Sequence, residues 1–209
     1  MPELCEIEVI KNDLISYLEK NLSIISLNLI SNNIIDKSSL NISSILNKKI
    51  KKISRKGKYL IFELSDFYYL IFHLRMTGHI FLKDKNYNIQ KHDHFILTLS
   101  NNKKIIYYDP RKFGKIYLIK KAAVFFKDLA KDPFEMSVLE FIKKIKNSKK
   151  AIKVFLMDQK IISGIGNIYA NETLYLSKIH PEKTSNLMNT TDSEVSFSTI
   201  QKDLHMGIK

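Results

Sequence analysis

Residues Ala151–Pro181 read AIKVFLMDQKIISGIGNIYANETLYLSKIHP, and this stretch decides the architecture of the second half of the chain. Apolar residues recur at helical spacing over Ile152–Met157 and again over Ile168–Leu176. Between them lies Ser163-Gly164-Ile165-Gly166-Asn167, whose glycines permit a tight turn and leave backbone N–H groups at the mouth of the second helix. A helix start of this kind binds phosphate, the alternative being a plain helical hairpin. Val138–Ile145 and Val195–Ile208 carry the same period, and Asp132-Pro133 marks a break ahead of them. The later part of the chain therefore reads as all-helical.

Upstream the pattern changes. Leu4, Ile7, Ile10, Leu14 and Leu18 recur every three or four residues, which predicts an amphipathic helix over about residues 3–20 that ties the N-terminus to a core. Seven short apolar or alternating runs follow: Ser23–Ile30, Lys49–Ile53, Tyr59–Leu64, Tyr68–Leu74, Phe95–Leu99, Lys104–Tyr108 and Ile116–Ile119. Their β-branched and aromatic content at this spacing indicates an antiparallel sandwich or barrel. The expected class is α+β, with an N-terminal helix on an antiparallel β-sandwich followed by a helical domain. The expected division is 1–121, a linker at 122–134, and 135–209, with no internal repeat.

A chain of 209 residues that is 44% hydrophobic can bury a core. Its longest strongly apolar stretch, Tyr68–Leu74, is far short of a membrane span, and no charged-then-apolar leader precedes the first helix, so a cytoplasmic protein is expected. Cys5, the single cysteine, rules out an internal disulfide and a cysteine-rich zinc site within these residues. The net charge of +13 points to a polyanionic partner, although a lysine-rich composition alone also produces it. Placement says more, since residues 1–134 hold 23 Lys and Arg against 13 Asp and Glu, and residues 135–209 hold 11 against 8.

Several constellations have the residue types for chemistry. The chain opens MPELCEIEVI; removal of Met1 would leave Pro2 as a secondary amine beside the Glu3 carboxylate, whereas the ordinary reading is a loose terminal residue and a first-turn acid. Seven basic residues crowd Lys48–Lys58, most of them explained as a charged strand edge; Lys58 differs because it meets the apolar strand that follows. IFHLRMTGHI sets His73, Arg75 and Met76 ahead of a turn at Thr77-Gly78, and DPRKFG sets Arg111, Lys112 and Phe113 between Pro110 and Gly114. Met and Phe beside cations on loops suit a wedge that enters a base stack while the cations hold phosphates, though each loop is also an ordinary hairpin pattern. Lys91–His94, KHDH, lacks the spacing of a metal site, and His92 is at least as well suited to a phosphate.

Taken in order, MPEL with a following acid, KGKYL, HLRMTG, KHDH, DPRKFG and IKVFLMDQKIISGIGNIYANE resemble bacterial formamidopyrimidine-DNA glycosylase, a base-excision repair family, from Pro2 to about Pro181 and more loosely beyond. The resemblance implies a bifunctional DNA glycosylase and AP lyase removing oxidised purines, 8-oxoguanine and formamidopyrimidines, from double-stranded DNA through a Schiff base on Pro2. Glu3 would handle protons and Lys58 would be the second catalytic cation. His73, His92, Arg111, Lys149 and Asn167 would contact DNA, and Met76, Arg111 and Phe113 would fill the gap left by the flipped nucleotide. It implies a monomer and no membrane. Two departures stand out: Cys5 occupies a position where the family usually has proline, and the family's four-cysteine zinc ribbon is absent, so no cofactor is expected in this chain. A shortened, catalytically impaired relative that binds bent or gapped DNA is the alternative function. A structural RNA-binding protein with a similar helix-two-turns-helix element is a more distant one, which the ordered N-terminal motifs disfavour.

Overall fold

Runs of β-branched and aromatic residues become eight strands in the computed structural model, which describes residues 2–19 and 21–208. Met1, Lys20 and Lys209, which the expectations above involve in exposure of the Pro2 amine, in the first helix and in the second domain, lie outside the described residues. The strands are β1 (Ile24–Leu29), β2 (Ile50–Lys56), β3 (Tyr59–Leu64), β4 (Tyr69–His73), β5 (His79–Lys83), β6 (Asp93–Leu99), β7 (Lys104–Tyr108) and β8 (Lys115–Ile119). They form two four-stranded antiparallel sheets, ordered β1-β6-β7-β5 and β2-β3-β4-β8. Seven of the strands coincide with the runs read from the sequence. β5 was not foreseen, because it is an edge strand in which only Ile80 and Leu82 turn toward the core while His79, Phe81 and Lys83 turn away.

Phe62, Phe72, Phe95 and Tyr107, all buried, join the inner faces of both sheets, with ring centroids 5.5 Å apart for Phe62–Phe72 and 5.9 Å for Phe72–Phe95 in edge-to-face geometry. Fully burying each such ring is worth about 2–3 kcal/mol of transfer free energy. β2 is an edge strand, and its exposed Lys51 and Lys52 discourage further pairing.

The first helix, α1 (Leu4–Tyr17), serves two cores: Ile7 and Leu14 are buried with the sheets, while Leu4 and Cys5 are buried among the later helices. Accordingly one compact unit comprises Met1–Pro2 and Ile7–Phe125, and the other comprises Glu3–Glu6 and Phe126–Lys209. Residues 122–125, read from the sequence as the start of a linker, form the short helix α2 (Ala122–Phe125). Phe125 packs on Tyr59 and Tyr117 at 5.8 and 4.9 Å.

The helical unit contains α3 (Val138–Lys146), α4 (Ile152–Met157), α5 (Asn167–Leu176) and α6 (Thr190–Ile208). Ser137 caps α3 by accepting the Glu140 N–H, and Phe141 packs against Phe155 and Phe197 at 5.9 and 4.8 Å. α6 starts before the apolar period that announced it, because Asn189 accepts the Asp192 N–H and caps a polar first turn. Between α4 and α5, the Gln159 side chain spans the turn: its Oε1 accepts the Gly164 N–H at 2.9 Å and its Nε2 donates to the Ile165 carbonyl at 2.8 Å. Among the described residues no helix is long and apolar enough to cross a membrane.

Candidate active site

In the helical unit, the turn before α5 closes on the N-terminal segment. Glu3, only 1% exposed, accepts the Gly166 N–H at 2.5 Å and the Ile168 N–H at 2.9 Å, one on each carboxylate oxygen. The Leu4 N–H donates to the Gly164 carbonyl at 3.0 Å. The helix start that the sequence offered to phosphate thus holds an anion of the chain itself, since a buried carboxylate needs donors and these N–H groups need an acceptor. Glu6 accepts the Glu3 N–H at 2.7 Å, and its other oxygen lies 3.4 Å from the Tyr169 hydroxyl. Burial, followed by Cys5 and Glu6, pushes that hydroxyl up. Asn167 stays exposed between the two bound N–H groups. Lys149 is exposed in a groove of about 760 Å³ that Lys143, Lys144 and Lys150 also line.

In the strand unit Pro2 is half-buried. Lys58 is 6% exposed, unlike the lysines that precede it in β2, because it follows Gly57 in the tight β2–β3 turn and leads into the inward-facing Leu60. His73 ends β4 and pairs across the sheet with Tyr59, whose ring meets it edge-on at 4.6 Å. Burial, then the charges of Arg75 and Lys58, drive the His73 imidazole down to about 4. Its Nδ1 accepts the Arg75 N–H at 3.2 Å, so the neutral ring carries its proton on Nε2. His73 therefore offers a neutral N–H donor, and Lys58 brings the charge.

The two loops singled out in the sequence come together. The Arg111 guanidinium lies over the Phe113 ring, 4.4 Å from its centroid, and its Nη1 is 3.8 Å from the Met76 sulfur. Met76 and Phe113 remain 49% and 47% exposed. Each loop contains a non-glycine residue in the left-handed region, Arg75 and Lys112, both at φ +56°. Sequence reading missed Asp109, a fully buried carboxylate that binds both loops: Thr77 Oγ1 donates to it at 2.5 Å, the Gly114 N–H at 2.9 Å, Tyr107 Oη at 3.0 Å and the Arg111 N–H at 3.2 Å. The signal available was an aspartate at the head of a Pro/Gly turn, where Asx bonding is common.

His92 is half-buried, with its ring edge-on to Tyr108 at 5.7 Å. The His94 ring stands edge-on to that of His92 at 6.5 Å, but the polar groups of Asp93 and His94 are engaged elsewhere. Asp93 accepts from Tyr87 Oη and the Gln90 N–H, and His94 Nε2 donates to the Asp109 carbonyl at 2.9 Å. Among the described residues no cluster of three or more His, Cys, Asp or Glu could hold a metal. Cys5 directs its thiol to the Leu204 carbonyl, and a four-cysteine zinc site does not fit this donor set.

Comparison with known proteins fits this geometry. Residues 1–116 match the formamidopyrimidine-DNA glycosylase N-terminal domain, and residues 129–209 match the formamidopyrimidine-DNA glycosylase H2TH domain. The chain is 42% identical over 214 aligned positions to the formamidopyrimidine-DNA glycosylase of Rickettsia africae (strain ESF-5), covering 100% of this chain and 78% of that protein. It is 38% identical to that of Ligilactobacillus salivarius (strain UCC118), covering 99% and 77%. Among solved structures it superposes on Lactococcus lactis Fpg in complex with abasic-site DNA with a TM-score of 0.90 at 33% identity, covering 99% of this chain and 79% of that one. The Lactococcus lactis complex with FAPY-dG-containing DNA gives a TM-score of 0.90 at 33% identity, covering 99% and 80%. With both of its units matched and relatives this similar over nearly its whole length, the chain belongs to the formamidopyrimidine-DNA glycosylase family.

Proposed function

We propose that this chain is a base-excision repair DNA glycosylase that removes oxidised purines, 8-oxoguanine and formamidopyrimidines, from duplex DNA and then cleaves the strand as an AP lyase. Family membership and solved relatives bound to lesion-containing DNA support the DNA partner. The observation that carries the reading is Glu3: its buried carboxylate, fastened by two backbone N–H groups, fixes the residue to which Pro2 is bonded. The chemistry asks for such an anchor, because a nucleophile held loosely forfeits its advantage in positioning.

With Met1 removed, Pro2 carries a secondary amine, and α-amino groups titrate at about 7.7–8.0, so a useful fraction is neutral near pH 7. Its nitrogen attacks C1′ of the damaged nucleotide as the protonated base leaves with the bonding pair. Ring opening of the sugar gives a cationic iminium. Loss of a C2′ proton then sends electrons toward that cation, and the 3′ phosphate departs. Glu3, whose two carboxylate oxygens each accept a backbone N–H, handles protons in these steps. Lys58 serves the elimination step as the second cation; Arg111, Lys149, His92 and Asn167 bind phosphates, and His73 donates as a neutral ring. Because C1′ is inaccessible to an amine in an intact duplex, the nucleotide must be extruded, and Met76, Arg111 and Phe113 fill the space it vacates. The steps need no metal and one protein molecule per lesion.

Borohydride reduction tests this reading. Incubation with duplex DNA containing an oxidised purine should yield a covalent adduct, and Pro2→Gly or retention of Met1 should abolish it. Absence of an adduct from folded wild-type protein at low salt would refute the enzyme, and tight binding without an adduct would support a DNA-binding relative that does not turn over.

A further inference from the structure

Four donors converge on the Asp109 carboxylate, and none of the proposed bond-making steps uses it. Thr77 comes from the loop that carries Met76; the Arg111 and Gly114 N–H groups bracket Lys112 and Phe113; Tyr107 comes from the buried face of β7. The backbone of Asp109 is committed as well: its N–H donates to the His92 carbonyl at 2.9 Å, and its carbonyl accepts His94 Nε2 and the Lys112 N–H at 2.9 and 3.2 Å. Close packing leaves no slack, since a Cβ on Gly114 would stand 1.7 Å from Tyr107 Oη and 3.0 Å from the His73 carbonyl. Burial pushes the Asp109 carboxyl up, but the bonds from Thr77, Gly114, Tyr107 and Arg111 outweigh it and hold the group ionised below the usual carboxylate range. A left-handed Lys112 persists only where surrounding bonds over-determine it.

We propose that Asp109 is a positioning residue for nucleotide extrusion: one buried carboxylate that locks the Met76 loop to the Arg111–Phe113 loop, so that the three side chains enter the base stack as one preformed wedge. This rests on the glycosylase reading above. A wedge whose loops must first be ordered loses part of its binding free energy to that ordering, whereas a pre-organised one does not. The carboxylate is suited to the task because it accepts from four donors at once, two of them backbone N–H groups that cannot rotate away.

Asp109→Asn isolates this role. In either orientation its amide NH₂ faces the N–H of Arg111 or of Gly114; the Thr77 and Tyr107 hydroxyls can turn, but the backbone cannot. Thr77→Val cuts the link between the loops while keeping side-chain volume. Both variants are compared with wild type, after circular dichroism confirms folding, in single-turnover excision of an oxidised purine. One duplex pairs the lesion normally, and a second sets it opposite a tetrahydrofuran residue, so that no partner base needs to be displaced. Misplaced groups cost up to about a hundredfold in rate. We expect Asp109→Asn to lose about 10- to 100-fold on the paired duplex and about threefold or less on the pre-opened one, with Thr77→Val changing in the same direction. A 2-aminopurine opposite the lesion should brighten on binding wild type and less so on binding either variant. Wild-type rates for both folded variants on the paired duplex would overturn the proposal, as would equal losses on the two duplexes; should Asp109→Asn fail to fold, Thr77→Val decides by the same ratio. An inactive wild type would sink the glycosylase reading, and this inference with it, whereas an active wild type with unaffected variants sinks the inference alone.

Discussion

His73 shows how burial changes what a side chain can offer a phosphate. An imidazole on the surface would be partly cationic near neutrality, but this one lies under Tyr59 and near Lys58 and Arg75, and burial drives its pKa down to about 4. The same fact has a stability consequence. Between about pH 6.5, where a free histidine titrates, and pH 4, the unfolded chain binds a proton at this site that the folded chain refuses, so folding stability falls as the pH drops through that window. Relative to His73→Gln, which cannot titrate, wild type should lose about 2–3 kcal/mol between pH 7 and pH 4.5 in urea unfolding. Parallel pH profiles for the two proteins would show that the ring is not held neutral. Lys58 makes the complementary case: among the seven cations of Lys48–Lys58 it is the buried one, so its charge is felt in a less polar setting than those of its exposed neighbours Lys51 and Lys52.

At the level of elements, the α4–α5 turn depends on one glycine. Gly164 has φ +91°, its N–H is bound by Gln159 and its carbonyl by Leu4, and a Cβ there would lie 2.6 Å from Leu4 Cδ1 and 2.9 Å from Leu4 Cβ. Gly164→Ala combines an unfavourable backbone region with overpacking and should cost about 2–4 kcal/mol in chemical denaturation. A loss below about 0.5 kcal/mol, the scatter of ordinary surface changes, would show that the turn relaxes freely. The glycines and flanking helices of this turn were legible because helical period and Gly punctuation are local signals. β5 was not, since its outward Phe81 joins Ile80 and Leu82 in an unbroken apolar run that hides the alternation within five residues. The Glu3 partnership was equally hidden. Its acceptor and donors are 163 and 165 residues apart, and no local pattern records such a closure. The wedge side chains could be proposed from their odd placement on loops, yet Asp109 could not be ranked above any other turn aspartate until β7 and the Thr77 turn were seen to deliver their hydroxyls to it.

For the whole molecule, charge is the property that acts at long range. A net +13 concentrated upstream of residue 135 favours any duplex, damaged or not, through release of counterions. If about four phosphates are neutralised, affinity for undamaged duplex should fall about a hundredfold between 50 and 200 mM salt, measured by fluorescence anisotropy. A flat response would remove the electrostatic basis of the DNA partner. Strand sandwich and helical unit each have their own core, but α1 contributes to both, with Leu4 and Cys5 in one and Ile7 and Leu14 in the other. Translation runs in a fixed direction, so residues 3–6 leave the ribosome well before Gly166 and Ile168, the donors to Glu3, and Leu204, the acceptor for Cys5. The nascent segment of helix must wait, uncommitted, until the α4–α5 turn has emerged. Synthesis of Gly166 and Ile168 thereby becomes a precondition for setting Glu3 in place.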